Sequence, residues 1–258
     1  MTFQSATRPS TIARVLDDSA GLMPWIASNT LRIVASHPDL MTRMALIRGE
    51  TWKDYKPLFD EAEARGGKRE ASDGTNIHMV VEALHHRMNI SAVPEPARTD
   101  GQAVYDAIHR LGFEIVESEQ FVVTQGLPEL CAGTLDLMLR KPDGTLIVGD
   151  TKSTTKLDDG RYSAIKWAIQ TAIYNHGLPY AGPSPERDRW GRPKVDPEAV
   201  GGWPAPVDQD RALILQVERG TGRVAPFLVD TRQGWVMAAA ACELRALRKR
   251  QGTMVEAI

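Results

Sequence analysis

The stretch from Cys131 to Ser153 constrains this chain more than any other. Leu135, Leu137 and Leu139 alternate with Thr134, Asp136 and Met138, the period-two pattern of a β-strand. Lys141-Pro142-Asp143-Gly144 supplies turn chemistry, and on the return strand Leu146, Val148, Asp150 and Lys152 share a face. A three-residue Pro-Asp-Gly loop, a type I turn closed by a glycine bulge, pairs Lys141 with Thr145. That register sets Asp136 opposite Asp150. Directly opposed residues have Cβ atoms roughly 4.5–5.5 Å apart, and like charges there are destabilising. Two carboxylates so placed need a proton or a cation between them. Magnesium, a hard cation held by one or two carboxylates plus water and substrate phosphate, suits the pair. Lys152 projects from the same face toward a metal-bound phosphate or water, so the hairpin points to metal-dependent phosphodiester chemistry. The competing reading is a half-exposed hairpin with solvent-facing aspartates, because D-x-K alone is short enough to recur by chance.

With 258 residues and 42% hydrophobic content, the chain can bury one core with a helical appendage. No run approaches the roughly 18 apolar residues of a membrane span, and the N-terminus lacks a signal-peptide pattern, so a cytoplasmic location is expected. Cys131 and Cys242 are the only cysteines, too few for a four-thiolate zinc or iron–sulfur site and no disulfide framework. A formal net charge of −2 argues against a generally sticky nucleic-acid binder while leaving local basic patches open.

Residues 1–10 read as a loose lead-in, and Thr11 to Ile47 as helical, with Ser10 as an N-cap, Pro24 in a first turn and a break at Pro38. Trp25 and Trp52 read as packing residues. The charged segment 50–72 reads as a solvated face with a loop at Gly66-Gly67, where Lys68 and Arg69 are candidate phosphate contacts. Ser72-Asp73-Gly74-Thr75 opens a further helix with two stripes. One is apolar (Ile77, Val81, Leu84, Met88); the other carries His78, Glu82 and His85. His78 is a candidate ligand that would tilt a metal site toward manganese. Zinc held by His78, Glu82 and His85 is a rival, although the spacing fits no standard zinc pattern. Asp100 is expected to cap a helix ended by Gly112. Glu117 and Glu119 alternate on a following β segment; either could reach a neighbouring strand's active face, but edge-strand solubility is the preferred reading. A helix from Ser163 to His176 is expected to bury Ile165, Ile169 and Ile173 and to end at Gly177. Its adjacent stripe of Trp167, Gln170 and Tyr174 either lines a helix–sheet boundary or orients groups over the carboxylates. Residues 178–210 form an irregular Pro/Gly-rich insertion. Within it Arg187, Arg189, Trp190, Arg192 and Lys194 combine cation and aromatic as a single-strand contact does. Two strands follow, joined around Gly220-Thr221-Gly222. A last helix, about Gln233 to Gln251, ends in a basic tip suited to a DNA backbone.

Four pieces stand in order: Gly74-Thr75-x-x-His78, Gly133-Thr134-Leu135-Asp136, Asp150-Thr151-Lys152-Ser153-Thr154 and Gln170-x-x-x-Tyr174. Together they resemble the His, G-x-x-D, D-x-K-[ST] and Q-x-x-x-Y elements of RecB-type nucleases of the PD-(D/E)xK superfamily. The N-terminal stretch and the closing strand–strand–helix look like bacteriophage-encoded members described as exonucleases. Each motif is weak alone; four in order are specific. The resemblance implies an α/β fold, a mixed central sheet flanked by helices, with residues 1–72 a helical N-terminal region packed on a 73–258 nuclease core. It implies Mg2+ or Mn2+ held by His78, Asp136, Asp150 and the backbone carbonyl of Thr151. Lys152 would position or activate the attacking water, and Gln170 and Tyr174 would organise the site and contact substrate. The cysteine count departs from relatives that hold an iron–sulfur cluster.

The function expected is metal-dependent hydrolysis of DNA, single- or double-stranded, by an exonuclease of recombination, replication or repair. A recombinase, single-strand-binding protein or helicase is the partner class that such a role implies. A structure-specific or nicking endonuclease is the first alternative, and a silent DNA-binding module on the same fold the second. Intact Asp136, Asp150 and Lys152 argue against the silent module.

Overall fold

The computed structural model describes residues 2–16, 22–158 and 160–250; within these, residues 22–26, 29 and 66–75 are described by their backbone alone. Residues 1–17 and 78–258 form one compact unit and residues 18–77 a second. The stretch 1–17 therefore groups with the larger unit instead of with a region ending at residue 72.

The larger unit is built on a six-stranded mixed sheet flanked by helices. Its strands are β2 (Glu114–Thr124), β3 (Cys131–Arg140), β4 (Leu146–Thr154), β5 (Gly177–Pro179), β7 (Arg211–Glu218) and β8 (Arg223–Asp230), in the order β5-β2-β3-β4-β7-β8. Neighbours are antiparallel except β4 and β7, which run parallel across the connection that contains α6 (Ala164–Asn175). The β3–β4 hairpin has the expected register: Lys141 N donates to Thr145 O at 2.8 Å, and Leu137 pairs with Gly149. Gly144 sits in the turn at φ +88°, a conformation glycine adopts without steric cost.

Helix α6 buries Trp167, Ile169, Ile173 and Tyr174. Full burial of an isoleucine side chain contributes about 1.5–3 kcal/mol, so Ile169 and Ile173 alone anchor the helix. Ile165 does not share that face; it is 47% exposed. Gly177 does not close α6 either, since it opens β5. Helix α7 (Thr231–Lys249) is capped by Asp230, which accepts from Gln233 N at 3.1 Å. It packs on α6 so closely that Gly234 faces the carbonyl of Ala168.

The first residues are not a loose lead-in. Strand β1 (Gln4–Ser5) pairs with β6 (Lys194–Val195), and α1 (Pro9–Ala13) packs on α6 and α7. Pro9 starts that helix, with Arg8 rather than Ser10 at the cap. The expected insertion at 178–210 is mostly irregular, but β5 and β6 pair it to the rest. Asp100 lies inside α5 (Ala97–Arg110) and is buried. Its carboxylate accepts from the backbone N–H groups of Gly220 and Gly222, so it holds the β7–β8 turn and caps nothing.

The second unit holds α2 (Leu22–Ala35), α3 (Pro38–Leu46) and most of α4 (Trp52–His85). Pro24 falls in the first turn of α2 and Pro38 opens α3. Ile33, Val34, Leu40, Leu58 and Ala62 form its core. Helix α4 runs unbroken through Gly66-Gly67, so the expected loop and the fresh helix start at residues 72–75 are absent. The side chains of Trp25, Lys68, Arg69, Ser72, Asp73 and Thr75, and residues 251–258, lie outside what the structure describes. Met88, expected on the apolar stripe, is beyond the helix and 63% exposed. Among the described residues no helix is long and apolar enough to cross a membrane.

Candidate active site

Continuing the β3–β4 register one step past Leu137–Gly149 places Asp136 opposite Asp150. On the other side of β3, Ser118 pairs with Leu137 and Gln120 with Leu135, so Glu119 stands opposite Asp136. Three carboxylates thus occupy one row across β2, β3 and β4. Glu119 has φ +52°, a left-handed backbone uncommon for a residue with a Cβ.

His78, on α4, completes the row. Its Nδ1 lies 3.1 Å from Glu119 Oε1 and its Nε2 3.6 Å from Asp136 Oδ2. His78, Glu119 and Asp136 offer ligand atoms that all lie within 4.8 Å of one another. Asp136 Oδ2 also accepts from Thr151 N at 2.9 Å, which fixes the carboxylate. Lys152 Nζ sits 2.5 Å from Asp150 Oδ2. The ammonium is thus the close ionic neighbour of a carboxylate that is otherwise buried. Gln170 Nε2 donates to Asp150 Oδ1 over a long 3.4 Å.

The electrostatics follow from burial and crowding. Burial alone would push the His78 imidazole down. The hydrogen bond to Glu119 and the charges of Asp136, Glu119 and Asp150 outweigh it and raise the group to about 9. Asp150 is fully buried; desolvation lifts its carboxyl, Lys152 pulls it back and Asp136 lifts it further, leaving it raised to about 6. Lys152 is raised despite desolvation because Asp150 and Asp136 face it. Desolvation and the same two aspartates hold the Tyr174 phenol far above its ordinary range, so it stays a neutral donor.

The donor set fits a divalent cation. Three carboxylates against one imidazolium and one ammonium leave an excess negative charge, and the oxygen and nitrogen donors suit magnesium or manganese. A cavity of about 10 Å³ lies among His78, Ser118, Glu119, Asp136 and Thr151, room for one water-sized occupant. Ser118 Oγ, which lines the same cavity, is buried without a hydrogen-bond partner, as a group that faces an ion or ordered water is.

The sequence-derived residues therefore converge: His78, Asp136, Asp150, Thr151, Lys152 and Gln170 meet, with Tyr174 close behind. Glu119, for which edge solubility is the reading the sequence favours, instead lies among these groups, its ligand atom within 4.8 Å of those of His78 and Asp136. The rival zinc set does not assemble; the His85 ring lies against His86, 4.8 Å between centroids, and Glu82 is not among the grouped ligands.

No protein-family model matches the chain, and no curated protein matches it. Among solved structures it is similar to a protein described only as SSO0001, at 11% identity and a TM-score of 0.34 over 84% of this chain and 70% of that one. A likeness at that level carries no argument.

Proposed function

We propose that this protein is a metal-dependent nuclease of the PD-(D/E)xK type that hydrolyses phosphodiester bonds in DNA. The observation that carries the reading is the opposed pair Asp136–Asp150 with the Lys152 ammonium beside it. His78, Glu119, Asp136 and Asp150 would hold Mg2+ or Mn2+, with Thr151 bordering the same cavity. A bound divalent ion lowers the pKa of a water and neutralises charge on phosphate oxygens.

The chain's own residues supply the rest. Lys152, kept charged by two aspartates, stands where it can hold an attacking water and face negative charge developing on phosphorus-bound oxygen. Gln170 orients Asp150, and Thr151 N–H orients Asp136. Tyr174, held neutral, offers a hydroxyl donor beside the row. Exonuclease action is the form the sequence resemblance favours, in recombination, replication or repair of DNA.

The test is cleavage of end-labelled linear and covalently closed circular DNA with Mg2+ or Mn2+, beside Lys152→Ala. Digestion of linear DNA alone, lost in the variant, supports the exonuclease. Cutting of closed circles redirects the reading to an endonuclease. Absence of metal-dependent cleavage of single- or double-stranded DNA overturns it.

A further inference from the structure

A second cavity, of about 410 Å³, lies among Thr7, Arg8, Thr11, Trp190, Arg192 and Arg245. Its volume falls within the roughly 300–1,000 Å³ of small-molecule sites. Three arginines meet there from segments far apart in sequence: the N-terminal stretch, the 178–210 excursion and α7.

Part of this cluster is a clamp. Arg245 Nη1 donates to Thr7 Oγ1 and to Glu129, and Lys249 reaches the same carboxylate. That network ties the first residues to α7 and explains Thr7 and Arg245 without any ligand. It explains neither Arg8 nor Trp190. Arg8 donates to the Gly191 carbonyl at 3.0 Å and has no carboxylate partner among the described residues. Trp190 is 64% exposed, yet its loop is tightly made. Asp188 accepts from the backbone N–H groups of Trp190 and Arg192, from Arg192 Nε and from Ser5 Oγ. Gly191 closes the loop at φ +73°. An indole is held in solvent by a built turn, with the Arg189 guanidinium 3.9 Å and that of Arg192 4.9 Å from its ring centre. A planar nucleobase can take the same stacked place as exposed Arg189.

Arg8 also leads directly into a contact with β3, the strand that carries Asp136. Pro9, next to Arg8, meets Tyr174 across Gly133, where a Cβ would lie 3.0 Å from Pro9 Cδ and 3.4 Å from Tyr174 Oη.

We propose that this cavity is a nucleotide subsite for a single-stranded flank of the nucleic acid, the base stacking on Trp190 and the phosphate meeting Arg8 with Arg192. The proposal rests on the nuclease reading above and names where its substrate continues past the scissile bond.

The experiment is anisotropy of a fluorescein-labelled oligothymidylate on the full chain in EDTA, which blocks cleavage, for wild type, Trp190→Ala, Trp190→Phe and Arg8→Ala. Both positions are exposed, and thermal melts check folding. Trp190→Ala is expected to weaken binding about tenfold or more, with Trp190→Phe recovering most of it. Arg8→Ala should reduce the slope of log affinity on log salt by about 0.7, one phosphate contact on a single strand. Unchanged affinity and slope in both alanine variants, with wild-type binding and Lys152-dependent cleavage intact, would overturn the subsite and leave the nuclease reading standing. Equal losses on a blunt duplex would overturn the single-strand assignment. If wild type neither binds nor cleaves nucleic acid, both readings fall together.

Discussion

The carboxylate of Glu119 accepts a hydrogen bond from Nδ1 of His78 at 3.1 Å, joining a strand to a helix 41 residues away in sequence. With Nδ1 so engaged, Nε2 is the nitrogen that faces Asp136, 3.6 Å from Oδ2. A carboxylate that fixes a ring nitrogen in this way sets which tautomer is available to a metal.

Glu119→Gln should therefore act through His78. Without the charge, the His78 imidazole falls from about 9 toward its ordinary value, because burial then meets less opposition. Mn2+ affinity is expected to drop by at least the roughly 10–100-fold seen when groups supporting a ligand are removed, because Glu119 is also one of the oxygen donors of the set. NMR titration of the His78 ring and calorimetric Mn2+ binding check both halves. An unmoved titration would mean that the Glu119 contact does not govern the ring.

The pH dependence of the metal-free protein should run against the usual direction for carboxylates. His78 is raised from 6.5 to about 9, so its stabilising contribution is complete below pH 6.5 and is lost as pH rises through 9. Asp150 is raised from 3.8 to about 6, so its ionisation removes stability between those values. Other carboxylates, such as Asp208, are lowered and oppose this at acid pH, so the centre is isolated by difference. Wild type minus His78→Gln, followed by thermal melts in EDTA, should lose stability from pH 6.5 to 9. With Mn2+ present the trend reverses, because a ligating imidazole must release its proton.

Asp136→Asn tests the opposed-carboxylate pair. The amide oxygen can still accept from Thr151 N–H, while one of the two like charges facing each other is gone. Metal-dependent cleavage should vanish while the metal-free melting temperature stays equal or rises. A clear fall in the metal-free melting temperature would make Asp136 a structural residue.

How much of this centre was legible depended on how local the determinant was. The β3–β4 register followed from Pro142-Asp143-Gly144 and put Asp136 opposite Asp150 without any knowledge of the fold. Glu119 was not fixed in the same way. Its place depends on the β2–β3 connection, which spans residues 125–130, and on the left-handed backbone at Glu119 itself. Neither is a tight turn with a known signature, so alternation alone left Glu119 open. Gly66-Gly67 misled for the opposite reason: a local breaker lost to the helical segments on both sides of it. The pairing of residues 4–5 with 194–195 is nonlocal altogether, and nothing in a polar N-terminus announces it.

Gly234 carries a packing prediction that bears on the site. A Cβ there would stand 2.2 Å from the carbonyl oxygen of Ala168 and 3.0 Å from Ala172 Cβ. The nearest obstacle is backbone, so Gly234→Ala must push α7 away from α6, the helix that presents Gln170 and Tyr174. Overpacking of this kind costs about 1–3 kcal/mol. Chemical denaturation should show that loss, and cleavage should fall with it because Gln170 is already at the limit of hydrogen-bond reach.

Asp100 separates stability from chemistry. Its carboxylate, 1% exposed, accepts from Gly220 N at 2.7 Å and from Gly222 N at 2.9 Å, holding a turn whose two glycines have φ +74° and +66°. Asp100→Ala removes both charge-assisted bonds and should cost roughly 2–3 kcal/mol, less than two fully buried donors would, because Gly220 can turn to water. Asp100→Asn should recover little, since its amide NH2 replaces one acceptor with a donor facing a backbone N–H. Neither substitution touches the carboxylate row, so Mn2+ affinity of the folded protein should stay within about twofold. Urea denaturation beside Mn2+ titration decides it: a change in metal affinity that outlasts correction for the unfolded fraction would mean that the β7–β8 turn is coupled to the site.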